Sequence, residues 1–197
     1  MTVSKTREKL VDVARQLFAR MGVDNTTMND IAQASKKGRR TLYTYFKSKN
    51  DVYLAVVESE LDHLYAMLFD VAGRDLPADE KLITFIYTRL DAIKALVFRN
   101  GTLRANFFRD IWRVEKVRKD FDVRETELLK GILDAGVDEG VFAMPDTDVT
   151  AVVLHHALKG LEVPYIRGVM GDTIAQRVKR RDNVMNLIFN GIKIKKA

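Results

Sequence analysis

The stretch TTMNDIAQASKKGRRTLYTYFKSKND, residues 26–51, decides the fold. It holds two short apolar-patterned segments separated by a tight basic turn. In the first, the Thr27 hydroxyl can accept from a backbone N–H one turn on, and Asp30 stands at the reciprocal position of a capping box. Met28, Ile31 and Ala32 then fall on one helical face. Ser35-Lys36-Lys37-Gly38 gives little reason to continue the helix, and Gly38 accepts backbone angles that other residues resist. The second segment reads as a helix over about 39–46, in which Leu42 and Phe46 share a face and should be buried. Arg39, Arg40, Thr41, Tyr43, Thr44 and Tyr45 are left outward, a set suited to phosphates and base edges.

A solvated basic helix pair would have the same pattern. The placement of charge argues against it. Residues 1–50 hold 11 Lys/Arg against 4 Asp/Glu, whereas residues 51–197 hold 22 against 23. The whole +6 excess of the chain therefore comes from its first quarter, where the helix pair lies. Phosphate neutralisation requires that asymmetry.

The remaining chain reads as helical almost throughout, with three prolines in 197 residues and no strand-like alternation bounded by turns. A first helix over about 4–20 buries Leu10, Ala14, Leu17 and Phe18 and stops at Gly22. A long helix over about 50–71 opens on Asp51, favourable to the helix dipole, and carries Val52, Ala55, Val56, Leu61, Leu64, Leu68 and Phe69. Gly73-Arg74-Asp75-Leu76-Pro77 ends it. Further helices are expected at about 78–97, 102–111, 117–139, 147–168 and 172–192. No apolar run approaches a membrane span, and the first ten residues lack the apolar core of a signal peptide. With no cysteine there are no disulfides, thiolate nucleophiles or cysteine zinc sites, and a cytoplasmic location is expected.

Catalytic residues are not indicated. His63, His155 and His156 are the only histidines, and the adjacent pair cannot chelate as an i, i+4 pair, so they read as surface or interface residues. No metal and no cofactor are expected, and the phosphate-binding and zinc-hydrolase motifs are missing.

Residues 6–54 resemble the N-terminal DNA-binding domain of TetR-family transcriptional regulators. The resemblance rests on the helix Arg7–Arg20 with Ala14, Leu17 and Phe18, then Gly22, Thr26-Thr27, Ile31-Ala32, Thr41-Leu42-Tyr43, Tyr45-Phe46 and Lys47-Ser48-Lys49. One stretch departs from the pattern. Where the family often has Ala-Gly-Val-Ser at the turn, this chain has Ser35-Lys36-Lys37-Gly38, so Lys36 replaces a glycine and Gly38 replaces a serine N-cap.

The resemblance implies an all-α protein with a three-helix, helix-turn-helix DNA-binding domain over 1–50 and a larger ligand-binding and dimerisation domain over 51–197. Arg39, Arg40, Thr41, Tyr43 and Tyr45 would face the groove of double-stranded DNA, while Thr27, Lys36, Lys37, Lys47 and Lys49 would hold phosphates. The last two amphipathic helices could close the chain's own core, but the resemblance implies that they pair two subunits. The interface residues would be Val153, Ala157, Gly160, Leu161, Val178, Met185 and Ile188. Aromatic residues crowd the middle of the chain. Each alone reads better as core, but the resemblance implies an effector pocket somewhere within 61–165, for which Phe85, Phe98, Arg104, Phe107, Phe108 and Trp112 are candidates. Asn106, Arg109 and His155 are further polar candidates. The function implied is a repressor released from a palindromic operator by a small molecule. The alternatives are a carrier or enzyme that keeps a basic helical module, and an architectural DNA binder with no effector.

Overall fold

The computed structural model describes residues 5–99 and 111–168, together with Asn186 and Ile188. The protein is all-α, and seven helices occur among the described residues: α1 Lys5–Met21, α2 Met28–Ala34, α3 Arg39–Tyr45, α4 Lys49–Ala72, α5 Ala78–Arg99, α6 Ile111–Asp138 and α7 Thr147–Ile166. The helices expected over 102–111 and 172–192 fall almost wholly outside the described residues. One boundary differs clearly. The helix expected from 117 begins at Ile111, because Ile111-Trp112-Arg113-Val114-Glu115-Lys116 contains no glycine or proline to interrupt it.

Two compact units divide the chain. One contains the described residues of 1–63 and 95–121, and the other those of 64–94 and 122–197. Helix α4 contributes to both. In the first unit, Leu10, Ala14 and Phe18 of α1, Ile31 of α2, Leu42 of α3 and Val52 of α4 are all buried. The Phe18 and Tyr53 rings meet edge-on with centroids 6.3 Å apart. Arg15 fastens α1 to α4: its Nε lies 2.7 Å from Glu60 Oε1 and its Nη2 donates to Ser59 Oγ at 2.9 Å.

In the second unit, Leu82, Phe85, Ile86 and Leu90 of α5, Leu129 and Leu133 of α6, and Ala151 and Leu158 of α7 form an apolar core. Phe69, expected on the apolar stripe of α4, is instead 60% exposed. An ion network lies inside this core. Arg89 is fully buried, pairs through Nε with Glu125, and donates through Nη2 to Glu162 at 2.8 Å. Burial alone would pull the guanidinium pKa down, but the two carboxylates outweigh it and hold the group protonated. His155 shares the network, with Nδ1 2.7 Å from Glu125 Oε2. Its expected place on the surface is therefore wrong: the ring is 3% exposed, and only its neighbour His156 faces outward. Spacing explains the error, since His155 falls on the buried stripe Ala151, His155, Leu158, Glu162 of α7.

Candidate nucleic-acid interface

Helices α2 and α3 are joined by a four-residue turn whose geometry follows from how α2 ends. The Lys36 N–H bonds Gln33 O at 3.0 Å and the Lys37 N–H bonds Ala32 O at 3.1 Å, a Schellman motif. That motif forces its central residue into the left-handed region, and Lys36 sits there with φ +56°. Gly140 after α6 and Gly168 after α7 hold the equivalent place, with φ +67° and +73°. Lys36 is the one non-glycine among the described residues with positive φ.

The starts of the helices differ in the same way. At α2 the Thr27 hydroxyl accepts from the Asp30 N–H at 3.2 Å, and Asp30 accepts from the Thr27 N–H at 2.8 Å, completing the expected capping box. These bonds hold the Asp30 carboxyl below the usual carboxylate range, the Thr27 hydroxyl contributing most. At α4 the same box recurs between Ser48 and Asp51, at 2.9 and 3.2 Å. Between them, α3 starts on Gly38 with no side-chain cap.

Leu42 and Phe46 anchor α3, at 0% and 3% exposure. Arg39, Arg40, Tyr43 and Tyr45 are exposed, while Thr41 is half-buried. Lys36 and Lys47 are exposed and Lys37 is half-buried. Thr27 is exposed, but its hydroxyl also donates to Asp30 at 2.7 Å, so the capping box already engages it. Lys49 Nζ donates to Val23 O at 2.7 Å and to Asp24 O at 3.1 Å, tying the start of α4 to the loop after α1. An ammonium has three N–H donors, so one is left for another acceptor. The arrangement is a short helix anchored by Leu42 and Phe46 that leaves guanidinium, phenol and ammonium groups exposed.

The other predicted positions are less united. Phe85 is fully buried in the second core. The side chains of Phe98 and Trp112, and residues Arg104, Asn106, Phe107, Phe108 and Arg109, lie outside the described residues. A shallow acidic cleft bounded by Asp134, Asp138, Asp146 and Asp148 contains none of the pocket candidates. On α7, Val153 is 60% exposed, Ala157 and Gly160 are exposed, and Leu161 is half-buried. Val178 and Met185 lie outside the described residues, and Ile188 is helical and half-buried. The buried charges Arg89, Glu125 and Glu162 were not foreseen. Their signal was present as charged residues on apolar stripes, for example Arg89 between Phe85-Ile86 and Ile93 on α5.

A two-helix module with a short basic second helix anchored by Leu42 and Phe46 is a helix-turn-helix. Residues 10–56 match the family described as bacterial regulatory proteins, tetR family. The N-terminal part of the chain therefore carries a tetR-family DNA-binding domain. The chain is 29% identical over 151 residues to the HTH-type transcriptional repressor KstR2 of Rhodococcus jostii, covering 74% of this chain and 72% of that protein. It is 26% identical over 198 residues to the probable acrEF/envCD operon repressor of Escherichia coli, covering 94% and 87%. A transcriptional regulator from Cytophaga hutchinsonii shares the fold, with a TM-score of 0.75 and 22% identity over 95% of this chain and 98% of that one.

Proposed function

We propose that the protein is a homodimeric repressor that binds a palindromic DNA operator and releases it when a small molecule binds. The observation that carries this reading is the exposure of Arg39, Arg40, Tyr43 and Tyr45 on a helix fixed by Leu42 and Phe46. Arginine reads guanine bidentately, and lysines at the rim neutralise phosphates without regard to sequence. Lys36, Lys37, Lys47, Lys49 and the Thr27 backbone region are assigned that second role. Repression is assigned because the relatives from R. jostii and E. coli are named repressors. No catalytic activity is assigned. Among the described residues no helix is long and apolar enough to cross a membrane, and action on DNA implies a cytoplasmic protein.

Residues 1–50 are assigned to DNA binding and 51–197 to effector binding and dimerisation. Helix α4 is the proposed link, since its first residues carry Lys49 and its last belong to the second unit. An effector shifts DNA affinity only by as much as it prefers one dimer shape, typically about 1–3 kcal/mol.

Selection from random-sequence duplex DNA with the purified chain tests the proposal. A two-fold dimer should enrich near-palindromic sites with half-sites about 34–36 Å apart. Recovery of no enriched sequence would contradict it.

A further inference from the structure

Helices α6 and α7 bring three metal-ligating side chains together inside the second unit. Asp122 and Glu125 lie three residues apart on α6, and His155 faces them from α7. His155 Nδ1 is 2.7 Å from Glu125 Oε2, and Nε2 is 3.6 Å from Asp122 Oδ1. One ligand atom from each residue lies within 4.8 Å of the other two. Glu125 is fully buried and His155 is 3% exposed.

The contact between His155 and Glu125 is close in distance but off the line of an N–H donor. Neither ring nitrogen of His155 and not the Oε2 of Glu125 has an aligned hydrogen-bond partner among the described residues. Buried polar groups are normally satisfied, and each that is not costs free energy. His155 and Glu125 thus face each other at close range with Asp122 beside them, so that one imidazole and two carboxylates converge on one point. The far sides of the carboxylates are already held. Arg89 Nε pairs with Glu125 Oε1, and Lys159 Nζ donates to Asp122 Oδ2 at 2.8 Å. These outer contacts orient the inner oxygens, as the supporting groups around metal sites do. The cations Arg89 and Lys159 face the three carboxylates of Asp122, Glu125 and Glu162, which leaves one negative charge for a protonated His155 or a bound cation to balance.

We propose that Asp122, Glu125 and His155 form a binding site for a first-row divalent transition metal that joins α6 to α7. One imidazole nitrogen and two carboxylate oxygens suit cobalt, nickel or zinc better than calcium or magnesium. Bonds of about 2.0–2.2 Å place neighbouring ligand atoms roughly 3–3.5 Å apart, so the three groups, now within 4.8 Å of one another, would close by about 1 Å on binding. The site leaves coordination positions for water or for a ligand atom of a bound molecule. The sequence hides it because Asp122 and Glu125 are some thirty residues from His155.

The test is a titration of chelator-stripped full-length protein with cobalt(II) chloride, read by visible absorbance, followed by displacement with zinc chloride. One ion per chain should bind saturably. His155→Gln and Asp122→Asn should each weaken binding by about tenfold or more. His156→Gln, which alters the exposed ring 5.1 Å from that of His155, should leave it unchanged. Circular dichroism checks that the variants fold, and if His155→Gln does not, Asp122→Asn decides. The proposal is overturned if the wild-type chain binds no ion, if folded His155→Gln and Asp122→Asn proteins bind as tightly as wild type, or if the loss follows His156.

Discussion

Lys36 occupies a backbone conformation that costs a non-glycine residue about 1–2 kcal/mol. The Schellman bonds from the Lys36 and Lys37 N–H groups demand it, and the same motif is closed by glycine at 140. A lysine here is costly to the fold and gains an exposed ammonium beside α3. Lys36→Gly should therefore stabilise the protein by about 0.5–1 kcal/mol in thermal unfolding. It should also lower the salt slope of DNA binding by about one unit. A variant less stable than wild type would remove the strain argument. Asp30 supplies a pH test nearby. Its carboxyl pKa is depressed in the folded state, so its contribution is present above the usual carboxylate value and is lost as pH falls through the folded value. Acid unfolding should be less steep in Asp30→Asn than in wild type, and an unchanged profile would show that the cap carries no stability.

At the scale of elements, α2 and α4 begin with reciprocal capping boxes and α3 begins with bare Gly38. Thr27 with Asp30 was legible in the sequence because its members are three residues apart and their chemistry is local. So were the anchors Leu42 and Phe46, through their four-residue spacing. The N-terminus of α6 was not, because helix-compatible residues run without a breaker back to Ile111. The ion network was not legible either. Arg89, Glu125 and Glu162 lie on three different helices, and only tertiary packing brings their charges into register. Removing one partner of a buried pair leaves an uncompensated charge and costs about 3–5 kcal/mol. Arg89→Met should show that loss as a lower denaturant midpoint. A cost below about 1 kcal/mol would mean that Glu125 and Glu162 find other partners or protonate at little expense.

At the scale of the whole molecule, α7 leaves Val149, Val152 and Val153 exposed at 58%, 45% and 60%. An apolar helical face of this kind fits a partner surface better than water. Gly160 lies on the same helix, and a Cβ there would meet nothing within 4 Å among the described residues. A charged side chain at that position should not disturb the subunit's own packing, which separates assembly from folding. Gly160→Glu should sediment as a monomer at micromolar concentration and lose operator binding, whereas wild type should sediment as a dimer. A wild-type monomer would remove the two-fold arrangement. The sequence signalled this face by its valine spacing, but spacing alone does not distinguish a face that meets a second subunit from one that closes the chain's own core.

The most direct test of DNA reading by α3 compares affinity for a selected duplex with that for a scrambled duplex of equal length at one salt concentration. Wild type should favour the selected duplex by about a thousandfold or more. Arg40→Ala should reduce that preference by about 1–3 kcal/mol and leave the scrambled duplex nearly unaffected. Equal affinities for the two duplexes in wild type, or a preference undiminished in Arg40→Ala, would contradict the assignment of α3 as the reading helix.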